Sequence, residues 1–184
     1  YELWDKKLME AIKSLQDIQG KVIAYTDAAS TSGYIYPSAI LKQNGITPKD
    51  YFFAGGHPQA ILAVYSGRAD VGCSYWSPSD SAGKPMDARE KLLDTYPDVF
   101  EKVKIVGYTD WIPNDTVTFR KDLPPELQGL IVQTLYRYAQ SPEGKKVLKT
   151  LYDIDGLEYA TDEDYEIVRT TLKSMNMDPA DLLK

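Results

Sequence analysis

The chain has 184 residues, which is enough for one compact domain or two small lobes. Its 27 acidic residues outnumber its 21 basic residues and give a net charge of -6. Because a protein that binds nucleic acid usually presents a basic face, this balance argues against nucleic acid as a partner. The single cysteine, Cys73, cannot form an internal disulfide. No apolar run in the sequence reaches the roughly 20 residues that a membrane-spanning helix needs.

The first part of the chain alternates between helix and strand patterns. Apolar residues at helical spacing predict a leading helix over residues 2–16, within a segment that we place at 1–18. The elements predicted next, in chain order, are strand 21–26, helix 33–44, strand 51–54, a helix from Pro58 to Gly67 and a strand within 68–74. Strands that alternate with helices predict an α/β fold with a parallel, doubly wound sheet.

Three further elements follow this alternation. Residues 76–85 are rich in Ser, Pro, Gly and Asp and predict a loop. Helical spacing predicts a helix over 86–96, and the apolar run at 103–108 predicts a last strand. Together with the preceding elements these segments predict an α/β ligand-binding lobe over residues 19–113.

The pattern changes after Pro113, where strand signals end. Helices are predicted to begin at Pro124–Pro125, after Ser141 as a cap residue, and at the acidic turn that starts at Thr161. We therefore predict a helical C-terminal segment over residues 114–184.

The stretch Ser30-Thr31-Ser32-Gly33-Tyr34 joins the first predicted strand to the helix that follows it. A helix begins with unpaired backbone N–H groups and the positive end of its dipole, so these hydroxyls predict an anion-binding turn. The residues alone leave a second interpretation open, in which Ser30 or Ser32 only caps the helix.

Two further polar residues follow predicted strand ends. His57 lies in a Gly-Gly-His-Pro turn and can donate a hydrogen bond to an anionic oxygen. Asp115, in Trp-Ile-Pro-Asn-Asp, would repel a fully ionised anion but can accept a hydrogen bond from the O–H of a protonated phosphate or phosphonate. Sulfate has no such O–H at neutral pH, so Asp115 would discriminate against it. Ordinary turn chemistry explains either residue as well.

Four motifs occur in an informative order. They begin at Ser30 (Ser-Thr-Ser-Gly-Tyr), Gly55 (Gly-Gly-His-Pro-Gln-Ala), Trp111 (Trp-Ile-Pro-Asn-Asp) and Arg120 (Arg-Lys-Asp-Leu-Pro-Pro). In this order, over about residues 17–150, the chain resembles the phosphate-, phosphonate- and phosphite-binding proteins of ABC transporters.

The resemblance implies a periplasmic-binding-protein fold that holds the ligand between two lobes. It assigns ligand contacts to the hydroxyl turn Ser30, Thr31 and Ser32, to His57 and to Asp115. Tyr75 is our candidate for a further ligand residue at the end of the 68–74 strand. The implied partners are a small phosphorus oxyanion and a transporter permease. The implied location is periplasmic or extracellular, with a membrane tether in the full-length protein.

The chain departs from the family pattern before Lys21, where the family has a first lobe and this chain offers a single predicted helix. We therefore expect a fragment that consists of one lobe and the returning helices. Such helices would expose apolar faces, so we also expect self-association.

Two alternatives to a transport receptor stay open at this stage. A ligand-sensing domain of a signalling protein would use the same lobe. A phosphatase-like enzyme would need a nucleophile or a metal, and the chain's one Cys and one His do not supply metal-ligand spacing. We expect neither a cofactor nor a metal.

Overall fold

A computed structural model describes residues 12–80, 83–152, 154–178 and 180. Contacts divide the chain into two compact units, which we describe separately. The first unit runs to Ile112 and resumes at Ile167, and the second unit is Pro113–Glu166. None of the helices in the described ranges combines the length and the apolar character needed to cross a membrane.

A three-stranded parallel sheet forms the centre of the first unit. Its strands are β1 (Val22–Tyr25), β2 (Asp50–Phe53) and β3 (Val71–Gly72). They lie in the order β2-β1-β3, so β1 is the central strand and Ile23 pairs with both Tyr51 and Val71. Ile23 and Ala24 are fully buried. The predicted α/β class with a parallel sheet is confirmed.

Helices cover both faces of this sheet. A five-residue π-helical turn, Thr31–Ile35, leads into α1 (Tyr36–Gln43), and α2 is His57–Tyr65. One face of the sheet packs Ile23 and Tyr25 with Leu41 of α1, whereas the other packs Ala24 with Ala60 and Ala63 of α2. This alternation of faces along β1 is the period-two pattern of a strand buried on both sides.

Small residues let α2 approach the sheet closely. A Cβ atom at Gly72 of β3 would lie only 2.9 Å from the carbonyl oxygen of Ala60. The alanines of this contact therefore set the spacing between helix and sheet, and that spacing fixes where His57, the first residue of α2, stands.

The segment after β3 differs from its prediction. Within the predicted loop, β4 (Trp76–Ser77) pairs antiparallel with β5 (Met86–Asp87), which occupies the start of the predicted 86–96 helix. A 3₁₀ turn, Glu90–Leu92, and the short helix α3, Val99–Lys102, come next. The helical prediction was wrong because a cross-strand partner overrode local spacing.

The predicted strand over 103–108 was also wrong. Val103 caps the end of α3 and is buried, and its carbonyl oxygen accepts a hydrogen bond from Arg89 Nη1 at 2.9 Å. A side chain thus takes the place of a strand partner, and Ile105 is 39% exposed.

In the described residues after Pro113 the structure has three α-helices, which the sequence also predicted. They are α4 (Pro125–Gln140), α5 (Pro142–Tyr152) and α6 (Glu166–Ser174), which a 3₁₀ turn at Glu163–Tyr165 precedes. Ser141 is the predicted cap, because its Oγ accepts the Gly144 N–H at 3.0 Å. Leu172 of α6 packs in the first unit against Ile35 and Tyr36.

Most of the predicted leading helix lies outside the described residues. Its end contains a 3₁₀ turn, Leu15–Ile18, rather than an α-helix. Ile12 and Leu15 pack against the cluster that contains Ile23 and Tyr25, so this end of the segment belongs to the core of the first unit.

The second unit exposes large apolar side chains. Leu130 of α4 is 61% exposed, and Leu151 of α5 is 67% exposed. The loop residue Tyr159, whose ring packs at a tilt against Tyr136 with centroids 5.0 Å apart, is also exposed.

An ion pair is buried beside β5. Arg89 donates to both carboxylate oxygens of Asp87, from Nε at 2.9 Å and from Nη2 at 2.8 Å. The two side chains are only 13% and 6% exposed. The guanidinium also stacks over the Phe100 ring at 4.5 Å. Both charges are thus compensated inside the protein, a condition under which a buried pair is tolerated.

Replacement Asp87→Ala leaves the Arg89 guanidinium buried without its carboxylate. We expect a loss of about 3–5 kcal/mol in the free energy of unfolding, measured by urea denaturation. The matched control is Lys91→Ala, which removes a surface pair with Glu90 and should cost less than about 1 kcal/mol. Equal effects of the two replacements would contradict this prediction.

Candidate functional site

The candidate site lies at the carboxyl edge of the sheet. Because β1, β2 and β3 are parallel, the residues that follow them all emerge at this edge. The first bonds beyond the strands hold these segments together: Gly55 N–H donates to the Thr26 carbonyl at 2.9 Å, and Cys73 N–H donates to the Ala24 carbonyl at 3.0 Å.

The hydroxyl turn follows β1 at this edge, and Ser30 is its cap. Ser30 Oγ accepts the Gly33 N–H at 3.0 Å. The Ser30 carbonyl accepts from both Tyr34 and Ile35, each at 3.0 Å. The bond to Ile35 spans five residues, which makes the turn wider than an ordinary α-helical turn. Ser30 therefore has the capping contact that the sequence left open.

Thr31 and Ser32 lie between the two clamped residues Ser30 and Gly33. Neither their backbone N–H groups nor their hydroxyls form a hydrogen bond with another residue in the described parts of the chain. Both residues are half-buried. They stand at the start of a helical segment that runs on to Gln43, so four donors and the positive end of the helix dipole are presented together.

His57 begins α2 at the same edge. Its Nδ1 accepts the Tyr75 N–H at 3.4 Å and lies 3.0 Å from the Ser74 hydroxyl. Since the Tyr75 amide can only donate, Nδ1 acts as the acceptor and the ring proton resides on Nε2. The neutral ring thus carries its N–H donor at Nε2, and the role of His57 as a ligand residue stays a prediction.

Burial lowers the pKa of His57 below its ordinary value, and the carboxylate of Asp27 opposes this shift only in part. Asp27 lies in the loop between β1 and the hydroxyl turn, where its carboxylate accepts the Ala29 N–H at 3.0 Å. Sequence reasoning missed Asp27 and Ser74. A short polar residue just past a strand end was the available signal for each.

Tyr75 contacts His57 edge-on, with ring centroids 4.9 Å apart and an interplanar angle of 72°. Its ring also packs against the apolar cluster that contains Ile61 and Val99. The structure therefore gives Tyr75 a packing contact that orients the imidazole. Its role as a ligand residue stays a prediction.

Asp115 belongs to the second unit and is exposed. Its neighbour Asn114 is held through its carbonyl, which accepts the Tyr165 hydroxyl at 2.8 Å. The structure thus brings Ser30–Ser32, His57 and Tyr75 to one edge of the first unit. The role of Asp115 stays a prediction.

The model of one protein family matches residues 9–165, and its description is the periplasmic phosphonate substrate-binding protein of ABC transporters. The phosphonates-binding periplasmic protein of Escherichia coli is 27% identical over 147 residues, which cover 76% of this chain and 40% of that protein. The phosphate-import protein PhnD of Mycolicibacterium smegmatis is 34% identical over 74 residues, which cover 35% of this chain and 23% of that protein. The chain thus spans well under half the length of either relative.

The fold has a counterpart among solved structures. The binding-protein component of an ABC phosphonate transporter from Pseudomonas aeruginosa superposes with a TM-score of 0.66 at 23% identity. The match covers 89% of this chain and 54% of that one. On the extent of the family match, this chain belongs to the periplasmic phosphonate substrate-binding proteins of ABC transporters.

Proposed function

We propose that this chain is the part of an ABC importer's substrate-binding component that captures a phosphorus oxyanion. The candidates are a phosphonate, phosphate and phosphite. The observation that carries the proposal is the pair Thr31 and Ser32, whose donors are unengaged within the described residues at the carboxyl edge that also holds His57.

The donors at this edge suit an oxyanion. Two backbone N–H groups and two hydroxyls come from Thr31 and Ser32, and a further donor comes from the neutral imidazole of His57. Hydrogen bonds from such donors to an ionised oxygen are shorter and stronger than bonds between neutral groups. The helix dipole adds attraction over the short range that matters here, where the net charge of -6 acts only weakly.

We assign the choice among anions to Asp115, on the family resemblance and on its chemistry. A carboxylate repels a fully ionised anion but accepts a hydrogen bond from a protonated one. A phosphate or phosphonate monoanion carries such a proton at neutral pH, and sulfate does not. Asp115 would therefore favour phosphorus oxyanions over sulfate.

The proposed partners follow from the family. We propose that the protein binds a transporter permease. We also propose a periplasmic or extracellular location, with a membrane tether in the full-length protein. The exposed side chains of α4 and α5, Leu130 and Leu151 among them, support self-association as a further proposal.

We propose binding rather than catalysis. Burial raises the pKa of the Cys73 thiol to about 12, so the thiol is protonated at neutral pH and a poor nucleophile. A sensing domain would use the same binding chemistry, and it stays an alternative.

The binding proposal is tested by calorimetric titration of the full-length protein with inorganic phosphate, methylphosphonate and sulfate. We expect binding of a phosphorus oxyanion, and we expect Ser32→Ala to weaken it by roughly tenfold, the equivalent of about 1.4 kcal/mol for one lost charged hydrogen bond. Ser66→Ala is the matched control, because it removes a serine hydroxyl at the C-terminal end of α2, whereas the candidate site includes the N-terminal residue His57 of that helix. No binding of either phosphorus oxyanion would refute the proposal.

Asp115→Asn tests the selectivity argument. The amide can still accept a hydrogen bond, but it no longer repels a fully ionised anion, so the preference for phosphonate over sulfate should fall by about tenfold or more. The control Asp94→Asn removes an exposed carboxylate elsewhere and should leave the ratio of the two affinities unchanged. A ratio that Asp115→Asn leaves intact would exclude this role.

The lowered pKa of His57 predicts a pH-dependent stability. The unfolded chain binds the imidazole proton near pH 6.5, whereas the folded protein binds it only at lower pH. The unfolded state thus binds more protons in this window. The contribution of His57 is complete above about pH 6.5 and is lost as the pH falls toward the folded pKa.

The measurement is urea unfolding of the ligand-free protein between about pH 5 and 8. His57→Gln should remove this component, and since the chain has only one histidine the difference between the two pH profiles isolates it. Profiles that run parallel throughout would show that His57 titrates alike in the folded and unfolded states.

A further inference from the structure

We propose that Thr26 is a positioning residue that fixes the hydroxyl turn by packing against Gly33. The proposal rests on the proposed function, because it concerns how the anion donors of Thr31 and Ser32 are held. Thr26 directly follows β1 and is 0% exposed.

Gly33 leaves no room for a side chain where it meets Thr26. A Cβ atom on Gly33 would lie 1.9 Å from Thr26 Oγ1, 2.5 Å from Cγ2 and 2.7 Å from Cβ. Real Cβ contacts are longer than 3.0 Å, so the whole threonine side chain occupies the space that another residue would need at position 33. The requirement for glycine here comes from close approach and not from a positive φ.

Hydrogen bonds hold Gly33 from both sides. Its carbonyl accepts the Thr26 N–H at 3.3 Å, and its N–H donates to Ser30 Oγ at 3.0 Å. Thr31 and Ser32 therefore lie between two residues that hydrogen bonds hold in place. Ser30 is held by its bond to the Gly33 N–H, and Gly33 is held by its bond to the Thr26 N–H. A displacement of Gly33 would rotate both donor residues.

The Thr26 hydroxyl forms no hydrogen bond with any residue in the described ranges. A buried hydroxyl without a partner is unfavourable, so the value of the side chain at this position lies in its branched shape. Threonine and valine have the same shape, and this equivalence separates packing from polarity in a test.

The wide turn depends on the same contact. The Thr31 carbonyl accepts the Tyr36 N–H across five residues, and such π-helical turns recur at functional sites. Because Gly33 packs against Thr26, the widened part of the turn falls at Thr31 and Ser32. We infer that the contact keeps their N–H groups directed away from the sheet and open to a ligand.

The test compares Gly33→Ala with the double variant Thr26→Gly/Gly33→Ala in the full-length protein. The readouts are the affinity for inorganic phosphate and methylphosphonate and the amide hydrogen exchange of residues 31–35. Gly33→Ala should weaken binding at least tenfold and speed exchange about tenfold, the equivalent of about 1.4 kcal/mol. The double variant, which removes all three clashing atoms, should recover most of both.

The matched control is Gly107→Ala, because a Cβ atom at Gly107 meets nothing within 4 Å. The proposal would be overturned if Gly33→Ala had the same affinity and exchange rates as this control. It would also be overturned if the double variant bound as weakly and exchanged as fast as Gly33→Ala. Should Gly33→Ala fail to fold, Thr26→Val and Thr26→Gly decide. Unchanged exchange of residues 31–35 in Thr26→Val with faster exchange in Thr26→Gly supports the packing role, and equal exchange rates in the two variants refute it.

Failure of the proposed function can be told apart from failure of the positioning role of Thr26. A wild-type protein that binds neither probe would refute phosphorus-oxyanion capture. The hydrogen-exchange comparison would then still decide whether Thr26 and Gly33 fix the turn.

Discussion

Parallel pairing of β1 with both of its neighbours is the constraint on which the first unit depends. The strand is only four residues long, yet it supplies partners to β2 and β3 and contacts a helix on each face. Since all three strands run the same way, the segments that follow them meet at one edge. The hydroxyl turn, His57 and Tyr75 are neighbours there for this topological reason, although they are separated along the chain.

At that edge the polar groups divide into two sets. Some contact other groups of the protein: Ser30 Oγ accepts the Gly33 N–H, the Asp27 carboxylate accepts the Ala29 N–H, and Ser74 contacts the imidazole. The donors of Thr31 and Ser32 have no hydrogen-bond partner within the described residues. This division fits the proposed function, because donors that are already oriented lose little freedom when an anion arrives.

Local patterns predicted the elements that short-range sequence signals specify. The strand at 21–26, the turn at Ser30–Ser32 and the cap at Ser141 were all recognisable, because the signals are a buried apolar run and short-range capping chemistry. The errors fell where a contact with another segment replaced the structure that the local pattern favoured. Met86–Asp87 forms a strand because it pairs with β4. The Val103 carbonyl accepts a hydrogen bond from Arg89 instead of from a neighbouring strand.

By itself the sequence determined the fold class and the family resemblance, and it made the turn after β1 a candidate anion site, because each depends on residue types at fixed local spacing. Only the tertiary structure decided that Ser74 and Tyr75 contact Nδ1 of His57 and that Thr26 packs against Gly33. These properties arise from contacts between residues that follow different strands or that a loop separates. Such distances are set by packing of the sheet and are not encoded in the spacing of any single motif.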